Sequence, residues 1–190
     1  MLRLAKTDGG LLYADFDAGE RTTASMLRFL RRRFSASPEL KRKLAAFRLE
    51  AEALERYAAG DPKALTAVPL DLSGTPFMRS VWEAMRAIPF GETRSYKAVA
   101  AAIGAPKAVR AVARAVHDNP VLLFVPCHRV VGSSGALVGY RAGLEIKAAL
   151  LEHERRALER GRRAADRPGA SLDQDRPEVS YGPGDPDPPA

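Results

Sequence analysis

Five apolar residues in a row, Val121-Leu122-Leu123-Phe124-Val125, run into Pro126 and then into the only cysteine of the chain, Cys127. A segment without a polar side chain has no face to give to solvent, so it must lie inside. Its length and β-branched ends predict a buried strand. Whatever encloses that strand must also place Pro126-Cys127-His128-Arg129-Val130-Val131 at the edge of a core. Beyond it, Gly132-Ser133-Ser134-Gly135-Ala136-Leu137-Val138-Gly139-Tyr140 reads as a glycine-rich loop closed by an aromatic residue. A thiol carried from a buried strand to the lip of such a loop is a candidate nucleophile.

The core must be built without covalent help. One cysteine excludes an intramolecular disulfide framework and any multi-cysteine zinc site. With only His117, His128 and His153 besides, no metal is expected. The 190 residues are 46% hydrophobic and 28% charged, which suits one domain of ordinary size or two small lobes sharing a core. A formal charge of +7 favours polyanionic partners, nucleic acid or an anionic membrane surface. The first residues, Met1 to Asp8, lack an apolar signal core, and no run approaches a membrane span. A reducing cytoplasm, where a lone thiol survives, is the expected compartment.

Apolar and polar residues alternate at Leu2-Arg3-Leu4 and again from Leu12 to Phe16, on either side of Asp8-Gly9-Gly10, which predicts a β-hairpin. Ser25 to Phe34 has the spacing of an amphipathic helix. A second helix is expected from Pro38 to near Gly60, followed by a strand through Val68, Leu70 and Leu72. No chemistry is evident in this first lobe, residues 1–72. At Thr75-Pro76 a new helix can start, capped by Thr75, with Phe77, Val81, Trp82, Met85 and Ile88 facing a core. Ser95 can cap a further helix from Tyr96 to Ile103. Gly104 breaks it, and Pro106 opens another through Val109, Val112 and Val116. Helix, tight glycine turn and helix is the helix-turn-helix arrangement, whose second helix faces DNA. An ordinary helical hairpin has the same spacing. Leu144 to Leu158 reads as a final helix with a cluster of arginines at its end. Residues 161–190 are too rich in Pro, Gly and Asp to bury a core and are expected to form a disordered tail.

Most lone cysteines are small buried hydrophobes, so the case for a nucleophile needs local support. Pro126 fixes the backbone on entry and aims the sulfur. His128 supplies a base, although neighbours on a strand point to opposite faces, so contact requires a bend or a bridging water. A carboxylate can orient the other imidazole nitrogen, and Glu152 and Glu154 are both candidates.

Pro126-Cys127-His128-Arg129-Val130-Val131 resembles the active-site signature of the O6-alkylguanine-DNA alkyltransferases, the methylated-DNA–protein-cysteine methyltransferases. Further matches follow in the family's order. They are Gly74-Thr75-Pro76-Phe77, Val81-Trp82, Ile88-Pro89-Phe90-Gly91-Glu92-Thr93, Ser95-Tyr96, Lys107 to Val112, Asn119-Pro120 and Gly139-Tyr140. The resemblance runs from about residue 74 to 154. It implies an α/β (α+β) fold with a small ribonuclease H-like first lobe. Residues 73–160 would then form a mainly helical, winged helix-turn-helix-like catalytic domain.

The function it implies is repair of double-stranded DNA containing O6-alkylguanine, with O4-alkylthymine left open. The alkyl group would pass to Cys127 once and irreversibly, in a monomer, without a cofactor. Under the resemblance His128 generates the thiolate through a water and Glu154 orients His128. Asn119 braces the turn, and Tyr96 presses on the target phosphate and protonates the departing guanine. The DNA-facing set is Arg110, which fills the vacated stack, with Tyr96, Lys107, Ala108, Ala111 and Arg129. The base pocket is the Val130 carbonyl with Ser133, Ser134, Gly135, Val138, Gly139 and Tyr140.

The chain departs from some members in lacking zinc ligands in the first lobe and any fused regulatory domain. It also has Arg141 where a small hydroxyl residue can stand, which bears on pocket width. Two other functions would use the same residues. A lesion sensor is disfavoured because such relatives replace the acceptor cysteine, commonly with tryptophan. A cysteine hydrolase would have no use for Arg110 and Tyr96.

Overall fold

The computed structural model describes residues 2–16, 19–34 and 44–165. The hairpin is present as β1 (Leu2–Thr7) and β2 (Gly10–Phe16), antiparallel, with Leu2 opposite Phe16 and Leu4 opposite Ala14. Gly10 has a φ of 133°, and a Cβ there would come within 2.5 Å of the Pro69 carbonyl oxygen, so only glycine fits. β2 is buried on both faces. Leu11 and Ala14 enter the main core, while Leu12 and Tyr13 pack with Leu30 of helix α1 (Glu20–Arg33). The helix thus starts earlier than its apolar spacing alone suggested.

The second helix is α2 (Arg48–Ala59), preceded by a 3₁₀ turn at Leu44–Phe47. The part of that expectation from Pro38 to Lys43 lies outside the described residues, as does the tail beyond residue 165. The strand expected through Val68, Leu70 and Leu72 is a single bridge. Leu70 pairs with Leu11 through Leu11 N–H to Pro69 O (2.8 Å) and Asp71 N–H to Leu11 O (2.9 Å). Pro69 has no N–H with which to lengthen a ladder.

Helix α3 (Pro76–Arg86) begins as anticipated: Thr75 Oγ1 accepts from Met78 N–H at 3.2 Å, with Pro76 in the first turn. Trp82 is fully buried and donates to the Ala115 carbonyl at 2.9 Å, joining α3 to helix α5 (Val109–His117). Between them, strand β3 (Arg94–Ser95) leads into α4 (Tyr96–Ala102), and Ser95 Oγ caps α4 on Ala98 N–H at 3.1 Å. α5 begins three residues after Pro106, because Ala108 N–H first closes a turn on Ala105 O at 2.8 Å. The helix-turn-helix is tied to the segment after the cysteine. Strand β4 (Val130–Val131) pairs in parallel with β3, Arg94 opposite Val130. The last helix, α6 (Leu144–Ala165), outruns the expected end at Leu158. Arg155 pairs with Glu152 and Glu159, and Arg156 pairs with Glu152, supporting the polar extension.

The five-residue apolar run is buried, but it is not a strand. Val121 bridges to Ala14 of β2, through Ala14 N–H to Pro120 O (3.0 Å) and Leu122 N–H to Ala14 O (2.8 Å). The chain then turns back, with Leu123 at a φ of 75° and Val125 N–H on Val121 O at 3.0 Å. Fully buried Asn119 closes the loop, donating through Nδ2 to Val125 O (2.8 Å) and accepting from Val121 N–H (3.0 Å). One side chain therefore satisfies backbone groups that a sheet neighbour would otherwise have to reach. A left-handed leucine costs roughly 1–2 kcal/mol, and burial of its side chain offsets that. A single apolar cluster runs from Leu11 and Ala14 through Tyr57, Trp82 and Val112 to Cys127, so both lobes share one core.

Candidate active site

Pro126 has φ −80° and ψ 64°, and Cys127 N–H reaches back to Val125 O at 2.8 Å. This is an inverse γ-turn, for which the proline ring presets φ. It supplies the bend that a straight strand would have denied. Residues Cys127–Arg129 then form one 3₁₀ turn, closed by Arg129 N–H on Pro126 O at 3.0 Å. At three residues per turn, successive side chains diverge in three directions rather than two. Cys127 faces a cavity of about 320 Å³ lined by Tyr96, Ala113, Val116, His117, Leu122, Val138, Gly139, Tyr140 and Arg141. His128 and Arg129 both meet Glu154 of α6.

Glu154 is fully buried and takes hydrogen bonds from three side chains and one backbone group. Its Oε1 accepts from His128 Nε2 (2.9 Å), Tyr57 Oη (2.9 Å) and Arg129 Nη2 (2.9 Å). Its Oε2 accepts from Arg129 Nε (3.0 Å) and Gly91 N–H (2.9 Å). Gly91, at φ 76°, passes so close that a Cβ would lie 2.3 Å from Leu158 Cδ1. Burial by itself would raise the Glu154 carboxyl, but the bonds and charges of His128 and Arg129 outweigh it and hold the group at about 2. Glu154 is therefore ionised, and the proton in its contact with His128 sits on Nε2. His128 is driven below its ordinary value, mainly by burial, with Glu154 opposing and Arg129 and Lys147 assisting. It is a neutral imidazole whose other nitrogen, Nδ1, is buried without a protein partner. Such a nitrogen can accept a proton.

The thiol is 3% exposed, and burial pushes its pKa up. The Asn119 side chain, Arg141 and Lys147 pull in the opposite direction. Lys147 was missed by sequence reasoning. Fully buried on α6, it donates through Nζ to Val130 O (2.6 Å), Val138 O (2.8 Å) and Gly139 O (3.4 Å), pinning both ends of the glycine loop. Its position one turn into a helix with an apolar stripe gave no signal of burial. Arg141 lines the cavity while its Nε pairs with Asp15 Oδ2 of β2 at 3.0 Å and its guanidinium lies over the Tyr13 ring. The first lobe therefore reaches the site at Asp15, Tyr13 and Tyr57.

Cys127, Tyr96, Val138, Gly139 and Tyr140 meet at the cavity, and the Tyr96 hydroxyl donates to Val138 O at 3.4 Å. His128 and Glu154 lie together behind the thiol, and Asn119 beneath it. Lys107, Arg110 and Ala111 are exposed on the outer face of α5 and its approach, with Ala108 half-buried beside them. Three expectations need correction. Arg129 is no surface cation: it is buried, paired with Glu154, donates to Ile88 O at 2.7 Å and stacks on Phe90. Ser133, Ser134 and Gly135 form an exposed turn away from the cavity wall, where Gly135 N–H bonds Gly132 O. Val130 is fully buried outside the cavity wall, and its carbonyl accepts from Lys147. Among the described residues no helix is long and apolar enough to cross a membrane.

Fold and site define a helix-turn-helix protein with a buried thiol beside a hydrogen-bonded His-Glu pair at its core. Residues 76–156 match the family model for the 6-O-methylguanine DNA methyltransferase DNA-binding domain. The inducible methylated-DNA–protein-cysteine methyltransferase of Bacillus subtilis is 40% identical over 156 residues, 81% of this chain and 84% of that protein. The constitutive enzyme of the same organism is 52% identical over 103 residues, 54% of this chain and 62% of that protein, a little under two thirds of its length. A crystal structure of Mycobacterium tuberculosis OGT in complex with DNA superposes with a TM-score of 0.69 at 38% identity. That match covers 82% of this chain and 87% of that one. The chain belongs to the methylated-DNA–protein-cysteine methyltransferase family.

Proposed function

We propose that this protein repairs DNA by moving the alkyl group of O6-alkylguanine onto its own Cys127, once per molecule. The observation that carries the reading is the buried thiol on the cavity floor, backed by a neutral His128 on an ionised Glu154 and flanked by a helix-turn-helix. An alkyl on O6 lies inside the duplex, so the nucleotide must be extruded, at a cost of a few kcal/mol that a damaged pair reduces. Exposed Arg110 on α5 fills the vacated stack, and Lys107, Ala108 and Ala111 allow close approach to the backbone.

In the cavity, the Cys127 proton passes to His128 Nδ1, directly or through a water. The sulfur electron pair attacks the alkyl carbon in line, and the carbon–oxygen pair leaves with the base. Tyr96 delivers a proton to the guanine ring. Burial, then Cys127, raises the Tyr96 phenol, so it enters the step protonated. The products are a thioether and an unmodified guanine. A thioether has no ready route back, so no cofactor regenerates the protein. We place this work in the cytoplasm, where the thiol stays reduced.

Intact-mass and peptide analysis after incubation with a duplex carrying O6-methylguanine tests the reading. One methyl on Cys127, stoichiometric and without turnover, is expected, and Cys127→Ala should bind DNA but accept nothing. An unmodified thiol beside intact DNA binding would sink the proposal, as would multiple turnovers.

A further inference from the structure

The first lobe touches the reacting groups most directly at Tyr57 on α2. Its hydroxyl donates to Glu154 Oε1 at 2.9 Å, the same oxygen to which His128 Nε2 donates at 2.9 Å. The Tyr57 backbone carbonyl accepts from His153 Nε2 at 2.9 Å, and its ring lies 5.2 Å from that of His153. The ring also meets Phe90 edge-on at 5.7 Å, and the face of Phe90 carries the Arg129 guanidinium. Two consecutive residues of α6 are thus fastened to one residue of α2. Packing of the lobes accounts for the ring. It does not account for a hydroxyl aimed at the oxygen that already holds the imidazole.

We propose that Tyr57 is a positioning residue for the transfer reaction, its hydroxyl drawing charge from the shared oxygen of Glu154 so that His128 is left ready to take the thiol proton. The inference rests on the alkyl-transfer reading of the site. Each donor accepted by a carboxylate oxygen weakens its pull on the next. The charged and titratable groups facing the His128–Glu154 pair are Arg129 from the 3₁₀ turn, Lys147 from α6, Cys127, His153 and Tyr57 itself. Arg129 and Lys147 disfavour a charged imidazole, and Glu154 favours one. Burial first, and then Glu154, lifts the Tyr57 hydroxyl far above the ordinary phenol range, so it remains a donor at any working pH. Without it, Glu154 holds imidazolium more tightly. His128 then stays protonated to a higher pH, where it cannot take the proton from Sγ.

Tyr57→Phe keeps the ring and removes the donor. Single-turnover transfer from an O6-methylguanine duplex is followed against pH. The acid limb is expected to move up by on the order of one pH unit, with the plateau above it retained within roughly twofold. An unmoved limb overturns the inference, and so does a rate lowered equally at every pH, the mark of a merely structural tyrosine. Wild-type protein separates the two kinds of failure. No alkyl on its Cys127 overturns the functional reading and this inference together, whereas normal wild-type transfer beside an unmoved limb overturns the inference alone. Should Tyr57→Phe lose its fold by circular dichroism, 3-fluorotyrosine introduced at position 57 alone keeps every contact and strengthens the donor. The limb must then move down, and its failure to do so refutes the assignment.

Discussion

Replacing Glu154 by glutamine asks whether one buried charge holds the two lobes and the reacting groups together. Glu154 is fully buried, bonded to Tyr57 of α2, Gly91 before β3, and His128 and Arg129 of the 3₁₀ turn. Its carboxyl sits at about 2 against an ordinary 4.5. A carboxyl held lower in the fold than in the unfolded chain stabilises the fold at every pH above the unfolded value. That stability is lost as the pH falls toward the folded value. The window here runs from pH 4.5 down to 2. At 1.36 kcal/mol per pH unit the contribution is on the order of 3 kcal/mol at neutral pH, and about half of it remains at pH 3. An independent route gives the same order: removing one partner of a buried ion pair costs about 3–5 kcal/mol, because Arg129 would be left buried against a neutral amide. Urea unfolding of wild type and Glu154→Gln at pH 7, 4.5 and 3 reads the difference directly. The variant should be about 3 kcal/mol less stable at pH 7, with the gap closing to about half by pH 3. A gap that stays constant with pH would refute the assignment of this stability to the charge.

Other perturbations separate the parts of the site. Asn119→Ala leaves the Val121 N–H buried without a partner, while the Val125 carbonyl keeps only the Cys127 N–H. With one orphaned donor at about 1–3 kcal/mol, calorimetry should show a loss of roughly 2 kcal/mol, together with a slowed transfer. Lys147→Met removes the cation from the Val130, Val138 and Gly139 carbonyls and from the neighbourhood of the thiol. Under the proposed chemistry the transfer rate near neutral pH should fall by on the order of tenfold, and its alkaline limb should move upward. Arg110→Ala, on the exposed face of α5, should leave stability within about 0.5 kcal/mol. Its transfer from duplex DNA should slow at least about tenfold in quench-flow measurements, while a single-stranded substrate reacts nearly as before.

The readable parts of this chain were those decided by neighbours in sequence. The hairpin turn before Gly10, the Thr75-Pro76 start of α3, the Ser95 cap of α4 and the break at Gly104 are local chemistry, and each stands where its residues put it. The failures come where a side chain outside the segment, near or far in sequence, decides. Val121–Val125 has the composition of a strand, but Asn119 satisfies its backbone and folds it back on itself. Arg129 has the look of a surface cation. A carboxylate 25 residues away on α6, the buried carbonyl of Ile88 and an aromatic face at Phe90 make burial cheaper than solvation. Lys147 and Tyr57 gave no signal for the same reason: their acceptors come from other elements.

Burial also explains the resting state of the thiol. A low-pKa, exposed cysteine is the kind that oxidises and cross-links. On the proposed function the thiol is spent on one event, and standing reactivity would gain nothing. Cys127 is 3% exposed and raised by burial, so at rest it is a protonated, shielded thiol. The same surroundings keep it within reach of ionisation. The Asn119 side chain, Lys147 and Arg141 all favour the thiolate, and the neutral His128 leaves Nδ1 open. Each of those groups is itself held by something else: Lys147 by three loop carbonyls, Arg141 by Asp15 of β2, and His128 by Glu154, which Tyr57 of α2 shares. Reactivity is therefore a property of the assembled core, and under the proposed chemistry a substrate base entering the cavity completes it by bringing the alkyl carbon to the sulfur. The first lobe contributes through Asp15 and Tyr57, which hold two of the groups that set the thiol's readiness.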